Sequence, residues 1–362
     1  MTKLLLIASE FPPQPGGIGI HAHHLAASLT KNNYAVTVLT DCRSALGEEE
    51  IIFDSEQAYQ VKRIPRKNFI LFTYLKRIHS ALTLVKKNDT VLVSGKFSLW
   101  VGGVLSLVTS KKIVGVVHGS EVAMPSSFRK TFTGWCVRRL NSVIAVSTYT
   151  KSLIETWGLK RVEVIPNGFA IVAPVSAVVK HTEAIQLITV GNVTERKGQQ
   201  NVIRAMPAIL KRFPGAIYHV VGIPTEKEAA LQLAKEMGVA ASVIFHGKVS
   251  EAKKIELLQQ ATVFVMLSQA TAQGDVEGFG IAVLEANALG LPAIGATNCG
   301  IEDAISQDVS GKLVAYNAPD AIVNGLEAIL QKYEAYSQGA ITWSYKFTWD
   351  VIVQKYIKVL QS

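Results

Sequence analysis

Cysteine is scarce in this chain: Cys42, Cys136 and Cys299 are the only three in 362 residues, and no two form a CxxC spacing. An odd, scattered set excludes a disulfide framework and predicts reduced thiols in a cytoplasmic protein. Long apolar runs are missing too. The longest weakly polar stretch, 98–110, is interrupted by two glycines and is too short to cross about 30 Å of hydrocarbon, so no transmembrane helix is expected. The segment 1–10 has only a brief apolar run before Glu10 and three prolines, unlike a signal peptide. His21, His23 and His24 cluster on one predicted helix without the HxxxH spacing of a metal site, and no metal is expected. There is no solenoid repeat and no low-complexity tract. Acidic residues are absent between Glu56 and Asp89, a gap that holds eight basic ones.

What is present is an ordinary globular composition, 49% hydrophobic and 18% charged, at a length that predicts two domains. The net charge of +9 is unevenly spread. Residues 1–168 hold 21 Lys/Arg against 11 Asp/Glu, whereas 169–362 hold 16 against 17. The excess points to one domain facing an anionic partner. Short Val/Ile/Leu-rich runs alternate with amphipathic segments throughout. Strands are predicted at 3–8, 35–40, 91–94, 113–117, 143–146 and 162–165, then at 186–190, 217–221, 243–245, 263–267 and 292–295. Such runs separated by helices imply two parallel, doubly wound α/β domains, with a boundary in 167–183 around Pro174. A final amphipathic segment, 348–360, suits packing on either one. Ligands of open α/β sheets bind beyond the carboxyl ends of the strands, so the loops there are the first candidates.

Four such loops carry chemistry. The first, Phe11–His21, includes Gly16, Gly17 and Gly19 as the chain enters a helix, which lets backbone N–H groups approach an anion. It lacks the third glycine of the dinucleotide fingerprint, which disfavours a nicotinamide dehydrogenase; a tight strand-to-helix turn is the alternative. The second places His118 directly after a buried strand, where an imidazole can serve a substrate hydroxyl or simply pack. The third, 190–198, sets Arg196 and Lys197 before Gly198 at a helix start, the elements of a diphosphate clamp or of a solvated turn. The fourth, 275–286, has Glu277 in the loop, then Gly278, Phe279 and Gly280 opening a helix, then Glu285 about one and a half turns in. One carboxylate suits a sugar and the other a ribose diol, with phosphates at the helix N-terminus. Glu285 has apolar neighbours on both sides and is expected to be buried with a partner.

Taken together, Pro15-Gly-Gly-Ile-Gly, His118-Gly119, Ile165-Pro-Asn167-Gly168, Arg196-Lys197-Gly198 and the Glu277/Glu285 pair resemble the retaining glycosyltransferases of family 4, and the likeness covers nearly the whole chain. Thr297–Ile305 with Ser310-Gly311 is similar to the family's later loops, and 275–281 resembles the phosphatidylinositol-mannoside mannosyltransferase branch. The resemblance implies the GT-B fold, two Rossmann-like domains facing across a cleft. Residues 1–168 plus a C-terminal helix, 346–362, would take the acceptor, and 169–345 the nucleotide-sugar donor. It further implies that Lys197, with Arg196, neutralises the leaving pyrophosphate, that Glu285 holds the ribose and Glu277 the donor sugar, and that His118 lies by the anomeric carbon. Gly17, Gly19, Gly278, Phe279 and Gly280 would contact sugar or phosphate through backbone, and Lys248 and Val249 the base. Asn192 stands where the family often has Arg, and Cys299 where a second glycine is common; an amide cannot replace a bidentate phosphate clamp.

The implied reaction is hexosyl transfer with retention, without a metal, from a UDP- or GDP-linked co-substrate to a lipid-linked or glycan hydroxyl. The alternatives are a soluble small-molecule acceptor, or an epimerase or nucleotide-sugar-binding protein of the same fold. Lys62, Arg63, Arg66, Lys67, Lys76 and Arg77, interleaved with Phe69–Phe72 and Tyr74, are expected to form an anionic-membrane or acceptor surface at the inner face of the membrane. Phe128–Lys130 and Trp135–Arg139 add a second basic-aromatic cluster. The alternative is a core helix with a solvated basic face. Nucleic acid is disfavoured because no recognition motif accompanies the charge.

Overall fold

A computed structural model describes residues 1–14, 16–44, 47–65, 70–125, 127–170 and 184–362. Two compact units result, one of residues 1–168 and 349–362, the other of 169–348. In the first, seven strands form a wholly parallel sheet: β1 (Thr2–Ala8), β2 (Tyr34–Cys42), β3 (Gln60–Pro65), β4 (Thr90–Ser94), β5 (Lys112–Val117), β6 (Ser142–Ala145) and β7 (Val162–Val164). Their order is β3-β2-β1-β4-β5-β6-β7. The crossovers are α1 (Gly17–Lys31), α2 (Glu48–Ser55), α3 (Ile70–Val85), α4 (Lys96–Leu105), α5 (Phe128–Arg138) and α6 (Thr148–Ser152). Leu4 to Ile7 of β1 are fully buried, as a central strand covered on both faces requires.

The second unit has β8 (Gln186–Val190), β9 (Ile217–Val221), β10 (Val243–Gly247), β11 (Val263–Met266), β12 (Ala293–Ala296) and β13 (Gly311–Val314), again parallel, in the order β10-β9-β8-β11-β12-β13. Its helices are α7 (Gln199–Arg212), α8 (Lys227–Glu236), α9 (Glu251–Gln260), α10 (Ile281–Ala288), α11 (Pro319–Gln331) and α12 (Tyr333–Ser344). The last helix, α13 (Trp349–Gln361), belongs to the first unit. There Trp349 packs so closely on Gly168 that a Cβ would sit 2.5 Å from its ring, so Gly168 has to be glycine. In both sheets the strand order reverses, between β1 and β4 and between β8 and β11, and the loops leaving those strands include three of the four singled out in the sequence.

Two strands escape hydrophobic patterning. β3 is an edge strand with alternating exposure and two cations, and β13 is a four-residue strand with a single buried apolar side chain, Val314. Pro15, Arg66, Lys67, Phe69 and Pro174 lie outside the described residues, as do the side chains of Ile70, Leu71 and Phe72. No helix among the described residues is long and apolar enough to cross a membrane.

The described cations of the basic stretch 62–77 do not all face solvent as expected. Lys62 and Lys76 are exposed, but Arg77 is only 3% exposed and pairs with the buried Asp41, its Nε 3.1 Å from Oδ1. Arg63 is also turned inward: it donates to both carboxylate oxygens of Asp54 at 2.8 Å and to the Pro12 carbonyl at 2.5 Å. The described residues of the stretch belong to β3 and α3, and the acids of 41–54 draw two of their cations into the fold. Arg77 serves the buried Asp41, and Arg63 serves the half-buried Asp54 with buried Glu50 3.8 Å away.

Glu50 is the tightest of these acids. Its carboxylate reaches back from the first turn of α2 to accept the N–H groups of Arg43 at 2.6 Å and Ser44 at 2.9 Å, the Ser44 hydroxyl, and the Cys42 thiol at 3.3 Å. Burial would raise its pKa, but these donors outweigh burial and bring it down to about 2. A depressed carboxyl contributes stability above its unfolded pKa of about 4.3, and that contribution is lost as pH falls toward 2. Glu50→Gln should therefore lower the thermal midpoint at pH 7 by the equivalent of about 2 kcal/mol. The gap to wild type should close as the unfolding series is taken from pH 5 to 2; a gap independent of pH would contradict this account.

Candidate active site

In the C-terminal unit, β8 runs into Gly191 and Asn192, and a single turn, 195–197, presents Arg196 and Lys197 before α7 begins. Gly198 has φ +74°, and a Cβ there would lie 1.9 Å from the Leu267 carbonyl oxygen. Only glycine lets this turn rest against the end of β11. Buried Gln199 fastens the loop, donating to the Asn192 carbonyl at 3.0 Å and the Gly191 carbonyl at 3.4 Å. Gln269 ties the loop after β11 to the same turn through the Arg196 carbonyl at 3.1 Å and the Glu195 carboxylate at 2.9 Å.

Those ties bring charges together. Lys197 Nζ lies 2.8 Å from Glu277 Oε2, and an Arg196 Nη donates to the same oxygen, while Arg196 Nε donates to Asp275 at 3.0 Å. Glu277 is 7% exposed. Burial would raise its pKa; Lys197, then Arg196, outweigh that and hold the carboxyl below its ordinary range. Two cations and two carboxylates thus form a neutral cluster where the strand order reverses. The Glu277 carbonyl accepts the Gly300 N–H at 2.9 Å, and a Cβ on Gly300 would meet the Gly278 carbonyl oxygen at 2.0 Å. Phe279 is buried, its ring 5.8 Å from that of Phe347, and Gly280, at φ +95°, caps α10.

Glu285 sits apart from the cluster's ion pairs. It is the fifth residue of α10, its side chain is 28% exposed rather than buried, and its partner is Lys254 of α9 at 3.2 Å. Lys254 also meets Glu251 at 2.8 Å. Lys248 and Val249 follow β10 after Gly247, whose φ is +69°. Patterning gave no sign of Lys254, because it comes from a different helix; nor did it single out Gln199 or Asp275.

In the N-terminal unit, His118 follows β5. Its Nε2 lies 2.9 Å from the hydroxyl of Ser94, the last residue of β4, and its N–H donates to Glu121 Oε1 at 2.5 Å. Burial pushes the His118 pKa down to about 4, so the imidazole is neutral near pH 7. Glu121 moves the other way, to about 7: burial raises it and backbone N–H groups only partly offset that. The His21 ring meets His118 edge to face at 5.0 Å, and its Nε2 lies 3.0 Å from the Tyr356 hydroxyl of α13. His23 bonds instead to Tyr59 at 2.6 Å, and His24 stacks on Trp349. Gly19 of the glycine loop is required by packing, since a Cβ would lie 3.0 Å from the Phe11 nitrogen, whereas Gly17 is exposed with nothing within 4 Å. The partners Ser94, Glu121, His21 and Tyr356 were not foreseen. Only Glu121, three residues beyond His118, had a local signal, the short acid-to-backbone reach of a turn.

Known proteins agree with this architecture. Residues 15–171 match the family model Glycosyltransferase Family 4, and residues 175–340 match Glycosyl transferases group 1. The chain is 25% identical over 392 residues to the GDP-mannose-dependent monoacylated alpha-(1-6)-phosphatidylinositol monomannoside mannosyltransferase of Corynebacterium glutamicum, covering 99% of this chain and 98% of that one. It is also 25% identical to the GDP-mannose-dependent alpha-(1-6)-phosphatidylinositol monomannoside mannosyltransferase of Mycobacterium tuberculosis, over 98% and 97% of the two chains. Among solved structures, sucrose-phosphate synthase from Thermosynechococcus elongatus superposes with a TM-score of 0.81 at 19% identity, covering 100% and 98% of the chains. Anabaena HepE in complex with UDP and glucose gives 0.79 at 18%, with full coverage of both. At such identities the superpositions establish the fold, and the sequence matches establish kinship. The chain belongs to the glycosyltransferases of family 4, has the GT-B fold, and is similar over its full length to the phosphatidylinositol-mannoside mannosyltransferase branch.

Proposed function

We propose that this nucleotide-sugar-dependent glycosyltransferase is a retaining, metal-independent hexosyltransferase. Its acceptor is a hydroxyl on a lipid-linked molecule or growing surface glycan, and it works peripherally at the inner face of the membrane. Residues 169–345 bind the donor; residues 1–168, with the helix of 346–362, take the acceptor. The observation that carries the reading is the Arg196–Lys197–Glu277 cluster, two cations preassembled on a buried carboxylate where two loops of a doubly wound sheet meet. The GDP-mannose dependence in the names of two full-length relatives favours a GDP-linked hexose, while the UDP bound to HepE keeps UDP in contention.

In this mechanism the C1–O bond to the diphosphate breaks while the acceptor oxygen bonds to C1 on the same face, and the acceptor proton passes to a diphosphate oxygen. Lys197 is the cation that takes up the leaving charge. Asn192 offers no charge, and Arg196 is already shared by Asp275 and Glu277, so most of the phosphate grip falls to Lys197 and to backbone N–H groups at Gly278, Phe279 and Gly280. Glu277 orders the sugar hydroxyls and Glu285 the ribose diol. The roles of His118 beside the donor sugar, of Gly17 and Gly19 beside phosphate, and of Lys248 and Val249 beside the base complete the proposal. A soluble acceptor is the second reading, favoured by the 24% identity to a glycogen synthase of Mycobacterium tuberculosis over 85% of the chain.

Incubation with a panel of UDP- and GDP-hexoses and extracted lipid should release nucleoside diphosphate and give a glycoside whose anomeric configuration, read by NMR, matches the donor. Inversion, or an isomerised free nucleotide sugar, would contradict the mechanism. The same assay with a strong chelator should proceed at an unchanged rate; loss of turnover restored by a divalent cation would remove metal independence. Lys197→Ala should lower kcat by about 10²–10³, and Glu285→Gln should raise the donor KM about tenfold with little change in kcat. Near-wild-type kinetics in both variants would refute the site.

A further inference from the structure

The N-terminal unit carries an aromatic ladder, exposed at Phe128 and half-buried at Phe132 and Trp135, that the proposed chemistry does not use. Along α5, Phe128, Phe132, Trp135 and Arg139 recur at i, i+4, i+7 and i+11, so they share one stripe of the helix. Thr133, Gly134, Cys136 and Val137 point the other way and are buried against the unit. The stripe is ordered and open to solvent at its start. Phe128 is 84% exposed, yet its ring stacks on Phe132 at 6.1 Å, and Phe132 stacks on Trp135 at 5.7 Å. The Arg139 guanidinium covers Trp135 at 4.3 Å. Trp100 of α4 braces the ladder from below, edge-on to Phe132 at 5.4 Å, with its indole N–H bonded to Thr133 at 2.8 Å.

Charge identifies the occupant. Arg129, Arg138 and Arg139 are exposed on and beside the stripe, Lys96 lies over Trp100 at 5.8 Å, and there is no acidic residue from Val122 to Ile154. Aromatic rings with indole and guanidinium groups at their edge fit a surface that is apolar just beneath an anionic layer. Among the described cations of 62–77, Arg63 is paired with Asp54 and Arg77 with Asp41, which leaves Lys62 and Lys76 exposed.

Resting on the reading that the enzyme works at a membrane, we infer that α5 is its docking helix, with Phe128, Phe132 and Trp135 entering the headgroup region of an anionic bilayer while Arg129, Arg138 and Arg139 engage lipid phosphates.

Flotation of the full chain with phosphatidylcholine–phosphatidylglycerol vesicles, against phosphatidylcholine alone, tests this. Wild type should float with the anionic vesicles at low salt and much less at high salt. Phe128→Ser should weaken partitioning about tenfold, and Arg138→Ala with Arg139→Ala about fivefold per charge, the equivalent of about 1 kcal/mol each. Lys62→Ala with Lys76→Ala should stay within about twofold of wild type. Phe128 is so exposed that its replacement leaves the thermal midpoint unchanged, which separates docking from folding. If wild type floats and the α5 variants float equally well, α5 is not the docking face and the membrane reading stands. Wild type that does not float at low salt overturns the membrane reading and this inference together. A Phe128→Ser chain that floats normally but fails to glycosylate a soluble oligosaccharide would make the ladder a sugar platform and overturn the inference.

Discussion

The functional loops of the C-terminal unit depend on one buried carboxylate. Glu277 is almost out of solvent, and an ionised carboxylate in that position is tolerable only with cations against it. Lys197 and Arg196 supply them from a loop some eighty positions earlier in the chain, after β8. Removing one partner of such a pair costs about 3–5 kcal/mol, because the other charge is left uncompensated. The ion pairs therefore do more than place three side chains. They lock the end of β8 to the end of β11, and the close approach at Gly198 is what lets the two loops come near enough. The two cations and two carboxylates balance one another's charge within these loops.

The N-terminal unit holds a neutral imidazole in place instead. His118 is held by a hydroxyl from the neighbouring strand, by the Glu121 carboxyl on its backbone N–H and by the edge of the His21 ring. Burial keeps both imidazoles uncharged near neutral pH. Position, rather than charge, is what these contacts supply. The described cations of this unit fall into two groups: Arg63 and Arg77 pair with Asp54 and Asp41, while Arg129, Arg138 and Arg139 are exposed. Net charge counted along the sequence does not distinguish these two uses.

The fold was legible because its strands are buried on both faces, and near-continuous Val/Ile/Leu runs such as Leu4–Ile7 announce that burial directly. β3 and β13 were not, since an edge strand with polar alternation and a strand of four residues leave little hydrophobic signal. The cluster of Arg196, Lys197 and Glu277 was legible as two motifs at strand ends. Their mutual ion pairing was not, because nothing local links positions 196 and 277. Glu285 shows the opposite limit. Its apolar neighbours in sequence suggested a buried acid, yet the helix leaves it partly exposed and its partner Lys254 comes from α9. Arg77 followed the same pattern in reverse, reading as a surface cation while its acid, Asp41, lies 36 positions away.

We propose the Arg196–Lys197–Glu277 cluster as a diphosphate site. Calorimetric titration of nucleoside diphosphates and the matching monophosphates into the chain and its Lys197→Ala variant tests it most directly. The preferred diphosphate should bind wild type at least about tenfold more tightly than its monophosphate, a difference of about 1.4 kcal/mol, and this margin should disappear in the variant. Equal affinity of wild type for the two ligands would contradict it.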